Sequence, residues 1–138
     1  MLVPSNSANA ESLFKVGEDY VTTYNITTKR KYEIEDPLTQ PKVKLRVKLE
    51  AHIREYSGKT LDPKVIDLAG KSLEEQINKR TEELLNRFRD KGIDPIGIGA
   101  LAKTKTRNFD PEKWHEVYPN TTFKVSSKVL ITETGVIE

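Results

Sequence analysis

Lys42-Val43-Lys44-Leu45-Arg46-Val47-Lys48-Leu49-Glu50-Ala51-His52-Ile53-Arg54 is the stretch on which the fold class turns. Val43, Leu45, Val47, Leu49, Ala51 and Ile53 alternate with Lys42, Lys44, Arg46, Lys48, Glu50, His52 and Arg54 without an error. A period of two is the spacing of a β-strand, so one face packs and the other meets water or a partner. Upstream, Tyr20, Thr22, Tyr24, Ile26, Thr28, Tyr32 and Ile34 share one parity, which predicts a second strand with that parity packed. Asp36-Pro37 and Gln40-Pro41 separate the two strands, because proline removes a ladder donor and biases its predecessor away from helix.

Downstream, Ser57-Gly58-Lys59 ends the strand, and Asp62-Pro63 has the form of a helix start, with Asp at the N-cap and Pro at the first helical position. Ile66, Ala69, Leu73, Ile77, Leu84 and Phe88, with Thr81 occupying one turn of the stripe, then follow three- and four-residue steps, predicting one long helix to about Lys91. Ser72-x-x-Glu75 has the form of a capping box that would restart the helix there, and Gly92 suits a left-handed C-terminal cap. Asp94-Pro95 and Asp110-Pro111 repeat the start signal before two short helices. Phe123, Val125, Ser127, Val129 and Ile131 alternate as a closing strand that ends near Gly135. Strands, then helices, then a strand, with no βαβ alternation, predict an α+β fold: an antiparallel β-sheet with a long helix and short helices packed on one face. Residues Met1 to Ser12 are small and polar and are expected to be a flexible tail, with 13–138 as a single domain.

Composition narrows the function classes. The chain has 138 residues, enough for one core. It lacks cysteine, which removes disulfides, thiol nucleophiles and Cys-ligated metal centres. No cofactor is expected, and no apolar run approaches the ~20 residues of a membrane helix. The net charge of +2 is too balanced to mark a nucleic-acid binder by total charge.

Each chemical signal has a plain structural reading beside it. Gly97-x-Gly99 follows a helix and lacks the third glycine or the Lys-Ser/Thr of a phosphate loop, so close backbone packing explains it. His52 lies on the polar parity of a strand, solvated or paired across it. His115 has no nucleophile or paired carboxylate near it in sequence, and Trp114 reads as a core anchor. No catalytic residue is assigned, and an enzyme is not expected. The basic strand is different. Lys42, Lys44, Arg46, Lys48 and Arg54 against Glu50 put four net positive charges on one face, and Lys29, Lys31, Lys124 and Lys128 share the polar parity of the other two strands. This is either a solvated face guarded against edge pairing or a contact for an anionic partner: lipid headgroups, an acidic protein surface, or nucleic acid. Lys42, Lys44, Arg46 and Lys48 are the residues expected at that contact. Nucleic acid is the least expected partner, since no aromatic is interleaved in the basic strand for base stacking.

The order of elements carries a resemblance. After the strand and the long helix come Gly92-Ile93-Asp94-Pro95-Ile96-Gly97-Ile98-Gly99, then Trp114-His115-Glu116-Val117-Tyr118-Pro119, then the closing strand. This resembles the C-terminal domain of the Ger(x)C family, the C-subunit lipoproteins of bacterial spore germinant receptors. Asp94, Gly97, Gly99, Trp114 and Pro119 carry the match; Ile96 stands where an aromatic is usual and Tyr118 replaces Phe. The resemblance implies a non-catalytic accessory role in spore germination, with A- and B-type receptor subunits as partners and an anionic membrane surface nearby. It also implies a full-length protein held by a lipid anchor on the outer face of the spore inner membrane. The family's lipid-modified cysteine is absent here, as are the two domains that precede this one in the family. The chain is therefore expected to be soluble by itself, as an excised domain or a single-domain relative. The alternative reading is a small basic-faced module that binds nucleic acid or another anion.

Overall fold

The computed structural model describes residues 11–133. Strand β1 (Glu11–Val16) turns at Gly17-Glu18 into β2 (Asp19–Glu35), and β3 (Lys42–Tyr56) follows. Helix α1 (Pro63–Asp90), α2 (Ile98–Lys105), α3 (Pro111–Val117) and a single 3-10 turn (Tyr118–Asn120) lead into β4 (Thr122–Glu133). The four strands form one sheet in the order β1-β2-β3-β4. The tail expected over Met1–Ser12 lies outside the described residues as far as Ala10, and Glu11 and Ser12 already belong to β1. The glycine expected to close the last strand, Gly135, also lies outside them.

The fold is α+β as expected, but the sheet is mixed rather than antiparallel. β1, β2 and β3 pair antiparallel, whereas β4 runs parallel to β3, Lys42 opposite Thr122 through Ile53 opposite Glu133. A parallel neighbour needs a long crossover, and α1 to α3 supply it by returning the chain to the end of the sheet where β3 began.

β3 packs as its alternation predicts: Val43, Leu45, Val47, Leu49, Ala51 and Ile53 are all buried. Full burial of each larger aliphatic contributes about 1.5–3 kcal/mol. Leu49 and Ile53 meet Ala69 and Leu73 of α1, with Ile66 and Ile77 beside them. Leu45 and Val47 meet Leu85, while Val43 packs instead on Ile98, Ala102, Trp114 and Tyr118.

The single packed parity expected for β2 fails in its first half. Asn25 lies opposite Ala51 and Thr27 opposite Glu50, so Ile26 is an extra residue that switches the strand's faces. Before this bulge Val21, Thr23 and Asn25 are buried and Tyr20 is exposed; after it Tyr32 and Ile34 pack inward.

α1 is one uninterrupted helix. Asp62 caps it, accepting from the Val65 amide at 3.0 Å. The Ser72 capping box does not form, because the Ser72 hydroxyl donates to the Lys15 carbonyl and ties the helix to β1. At the far end the Ile93 amide reaches the Phe88 carbonyl and Gly92 the Arg89 carbonyl, the paired bonds of a Schellman cap. α1 also covers the outer edge of β4. The Glu82 and Glu74 carboxylates accept from the Val125 and Val129 amides at 2.9 Å each, and the Ser127 hydroxyl donates to Asn78 Oδ1. These bonds satisfy edge amides that would otherwise be a template for another strand.

Candidate functional site

The motif residues Asp94, Gly97, Gly99, Trp114 and Pro119 come together between the end of α1 and the start of β4, where the Asp94 carboxylate is spent on the fold. The helix start expected at Asp94-Pro95 is displaced. α2 begins at Ile98, Gly97 occupies its N-cap at φ +72°, and Asp94 caps it from further back. The two carboxylate oxygens of Asp94 accept separately from the Ile98 amide at 2.8 Å and the Gly99 amide at 2.7 Å. A Cβ on Gly99 would stand 2.8 Å from Trp114 Nε1, so the second glycine lets the indole close on the helix start, the packing role read from sequence. Trp114 is 7% exposed and its ring lies 5.4 Å from that of Tyr118. The Tyr118 hydroxyl donates to the Ile93 carbonyl at 2.7 Å. Burial, and then the Asp94 carboxylate, push the Tyr118 pKa up to about 12, with Arg89 pulling the other way. Pro119 sits in the 3-10 turn, which closes with the Thr121 amide on the Tyr118 carbonyl and is held to α1 by Arg89 Nη1 on the Thr121 carbonyl at 2.7 Å.

The histidines stay apart from this cluster's interior. His115 is exposed on α3. His52 pairs across the sheet with Tyr24, whose hydroxyl lies 3.3 Å from Nδ1 with the rings edge to face. Among the described residues no three His, Asp or Glu side chains gather as metal ligands.

The basic residues line the sheet face opposite the helices, and the register orders them in rows across β2, β3 and β4. From one end these are Glu35–Lys42–Thr122, Glu33–Lys44–Lys124, Lys31–Arg46–Ser126, Lys29–Lys48–Lys128 and Thr27–Glu50–Leu130. Lys42, Lys44, Arg46 and Lys48 are exposed together on it, as expected. The face is not uniformly cationic, however. Lys42 lies 3.9 Å from Asp36, Lys44 3.9 Å from Glu35, and Arg46 3.1 Å from Glu33. The four net charges counted on β3 alone are thus balanced over much of their length by acids of β2 and its turn. Sequence reasoning missed those acids because Glu33 and Glu35 become neighbours of β3 only once the register is set. The parity of Glu33 with Lys29 and Lys31 was the available signal.

Among the described residues Lys31 and Lys124 on this face have no acid partner either, but the fourth row is the one in which all three strands present a lysine. Lys29, Lys48 and Lys128 stand directly opposite one another on three adjacent strands, and among the described residues none has a carboxylate within ion-pair distance. A shallow groove of about 430 Å³ opens beside them, lined also by Thr27, Glu50 and Leu130. Leu130 is 60% exposed.

Comparison with known proteins agrees with this architecture. The crystal structure of the GerBC protein superposes with a TM-score of 0.71 over 88% of this chain and 40% of its own, at 14% identity, which shows a shared fold. The spore germination protein GerQC of Bacillus cereus is 35% identical over 121 residues, 86% of this chain; the chain spans 34% of that relative's length. The model of the spore germination B3/GerAC-like family, C-terminal domain, matches residues 5–135. With the match running through nearly its whole length, this chain belongs to that family: it is a C-terminal domain of the germinant receptor C-subunit type.

Proposed function

We propose that the chain is a non-catalytic accessory domain of a germinant receptor C subunit, working in spore germination through contacts with the receptor's A- and B-type subunits. The observation that carries this reading is the fate of the family motif. Asp94, Gly97, Gly99, Trp114 and Pro119 meet in a packed joint, and among the described residues no helix covers the opposite sheet face. In the full-length protein a lipid anchor would hold this domain at the outer face of the spore inner membrane, with the A and B subunits within reach.

Pull-down of detergent-solubilised intact receptor subunits with the tagged chain tests the reading. Co-purification of A or B subunits that survives washing at physiological salt supports it. Recovery no better than with an unrelated α+β domain of similar charge would refute it.

A further inference from the structure

We propose that the row Lys29–Lys48–Lys128 and its groove bind a phosphate ester whose alcohol part carries a free hydroxyl. The argument starts from the rest of the same face. There each carboxylate takes one cation: Asp36 with Lys42, Glu35 with Lys44, Glu33 with Arg46. Three ammonium groups in one row exceed what a carboxylate neutralises, and they suit an anion with more charge and more acceptor oxygens. Adjacent strands are ~4.8 Å apart, so the three flexible lysine stems can converge over the middle strand on one tetrahedral group. Lysine serves phosphate as a point charge, without the planar geometry that bidentate arginine demands.

The flanking row narrows the class. Thr27 and Glu50 border the same groove, a hydroxyl and a carboxylate that among the described residues pairs with no cation. Glu50 repels a bare polyphosphate but accepts from an alcohol, so the pair suits a polyol ester. Leu130 adds an apolar wall at the rim. Like charges directly opposite each other in a sheet are unfavourable, so a bound anion would relieve a repulsion that the fold otherwise carries.

Two sources present this chemistry, a free polyol phosphate and a bilayer headgroup, and the experiment has an arm for each. In the first, sn-glycerol 3-phosphate is titrated into the isotopically labelled chain and amide shifts are followed at Thr27–Lys29, Lys48–Glu50 and Lys128–Leu130. In the second, the chain is sedimented with vesicles of phosphatidylglycerol or of phosphatidylcholine alone. Each arm uses wild type, a Lys48→Gln, Lys128→Gln pair, and a Lys42→Gln, Lys44→Gln pair. All these positions are exposed, and amide spectra of the free variants check folding.

Binding in either arm should weaken at least about tenfold in the first pair, the loss that follows removal of a hydrogen bond to a charged group. It should change no more than about twofold in the second pair, whose lysines are already matched. Binding in the vesicle arm alone assigns the headgroup as source, and binding in both assigns the ester itself. Silence in both arms, equal loss in the two variant pairs, or polyglutamate binding as tightly as the ester would each overturn the proposal. The pull-down is independent of these outcomes, since it reads subunit contact and not anion affinity.

Discussion

The joint around Asp94 and the lysine row around Lys48 use polar groups in opposite ways. In the joint the Asp94 carboxylate, the Tyr118 hydroxyl and the Arg89 guanidinium are committed inside the fold. Asp94 holds two amides, Tyr118 holds the Ile93 carbonyl, and Arg89 holds the Thr121 carbonyl. In the row three ammonium groups stand opposite one another, and among the described residues none has a carboxylate within ion-pair distance. Of the residues that look most like chemistry in the sequence, the acid Asp94, the Gly-x-Gly and Trp114 are bound up in the fold, and His115 is exposed beside them. The residues that look like ordinary surface are the ones left to meet something else. Substitutions in the joint should therefore cost stability, and substitutions in the row should not.

The largest effect is expected at Trp114. It fills the space between α2, Val43 and Tyr118, so Trp114→Ala removes a nearly buried indole and should cost about 3–5 kcal/mol by urea unfolding. A loss below about 1 kcal/mol, the level of a surface substitution, would mean that the joint is not packed as described.

Asp94 comes next. Asp94→Ala releases both amides at the start of α2 and should cost about 1–2 kcal/mol, the upper part of the range for a lost N-cap. Hydrogen exchange should locate the damage, with protection at Ile98 and Gly99 lost before that of α1. Asp94→Asn keeps one acceptor oxygen and should recover part of the loss. Equal exchange in wild type and Asp94→Ala would show that the cap is idle.

Tyr118→Phe removes one hydrogen bond and should cost about 1 kcal/mol. It also tests the raised pKa. Below pH 10, folded and unfolded chains both keep the phenol protonated, so this group's contribution is complete. As pH rises from 10 towards 12 the unfolded chain gives up the proton first, and that contribution is lost. Wild type should therefore lose more stability than Tyr118→Phe over that interval. Parallel curves for the two proteins would contradict the assignment.

What was legible in the sequence was local. The strict alternation from Val43 to Ile53 needs no knowledge of partners, and Asp62-Pro63 and Gly92 mark the ends of α1 by backbone geometry that short segments dictate. Pairing direction was not local: Phe123 to Ile131 alternates equally well parallel or antiparallel, and the crossover through α1 to α3 decides it. The extra residue at Ile26 defeated a parity that reads as continuous, because a bulge has no signature in alternation until the partner strand is in place. The candidate site failed for the same reason. Lys42, Lys44, Arg46 and Lys48 were correctly placed on one face, but whether each is matched depends on what lies across the strand gap. Only the assembled sheet, with its ion pairs from Asp36, Glu35 and Glu33, separates Lys48 from the other three.

The smallest effect reads that separation directly. Lys48→Glu places a carboxylate between Lys29 and Lys128, turning two like-charge cross-strand pairs into two opposite-charge pairs. Each such pair contributes about 0.2–1 kcal/mol, so this reversal of an exposed residue should stabilise the chain by a few tenths to about 1 kcal/mol. The same change at Lys42 sets a carboxylate opposite Glu35 and removes the partner of Asp36, so Lys42→Glu should destabilise by a similar amount. Both differences should shrink in about 1 M salt, where the screening length falls to ~3 Å. Opposite signs at two lysines six residues apart on one strand are the signature of a face matched at one end and left unmatched at the other. A loss of stability in Lys48→Glu would mean that the row is already balanced within the fold, and the contrast between joint and row would disappear with it.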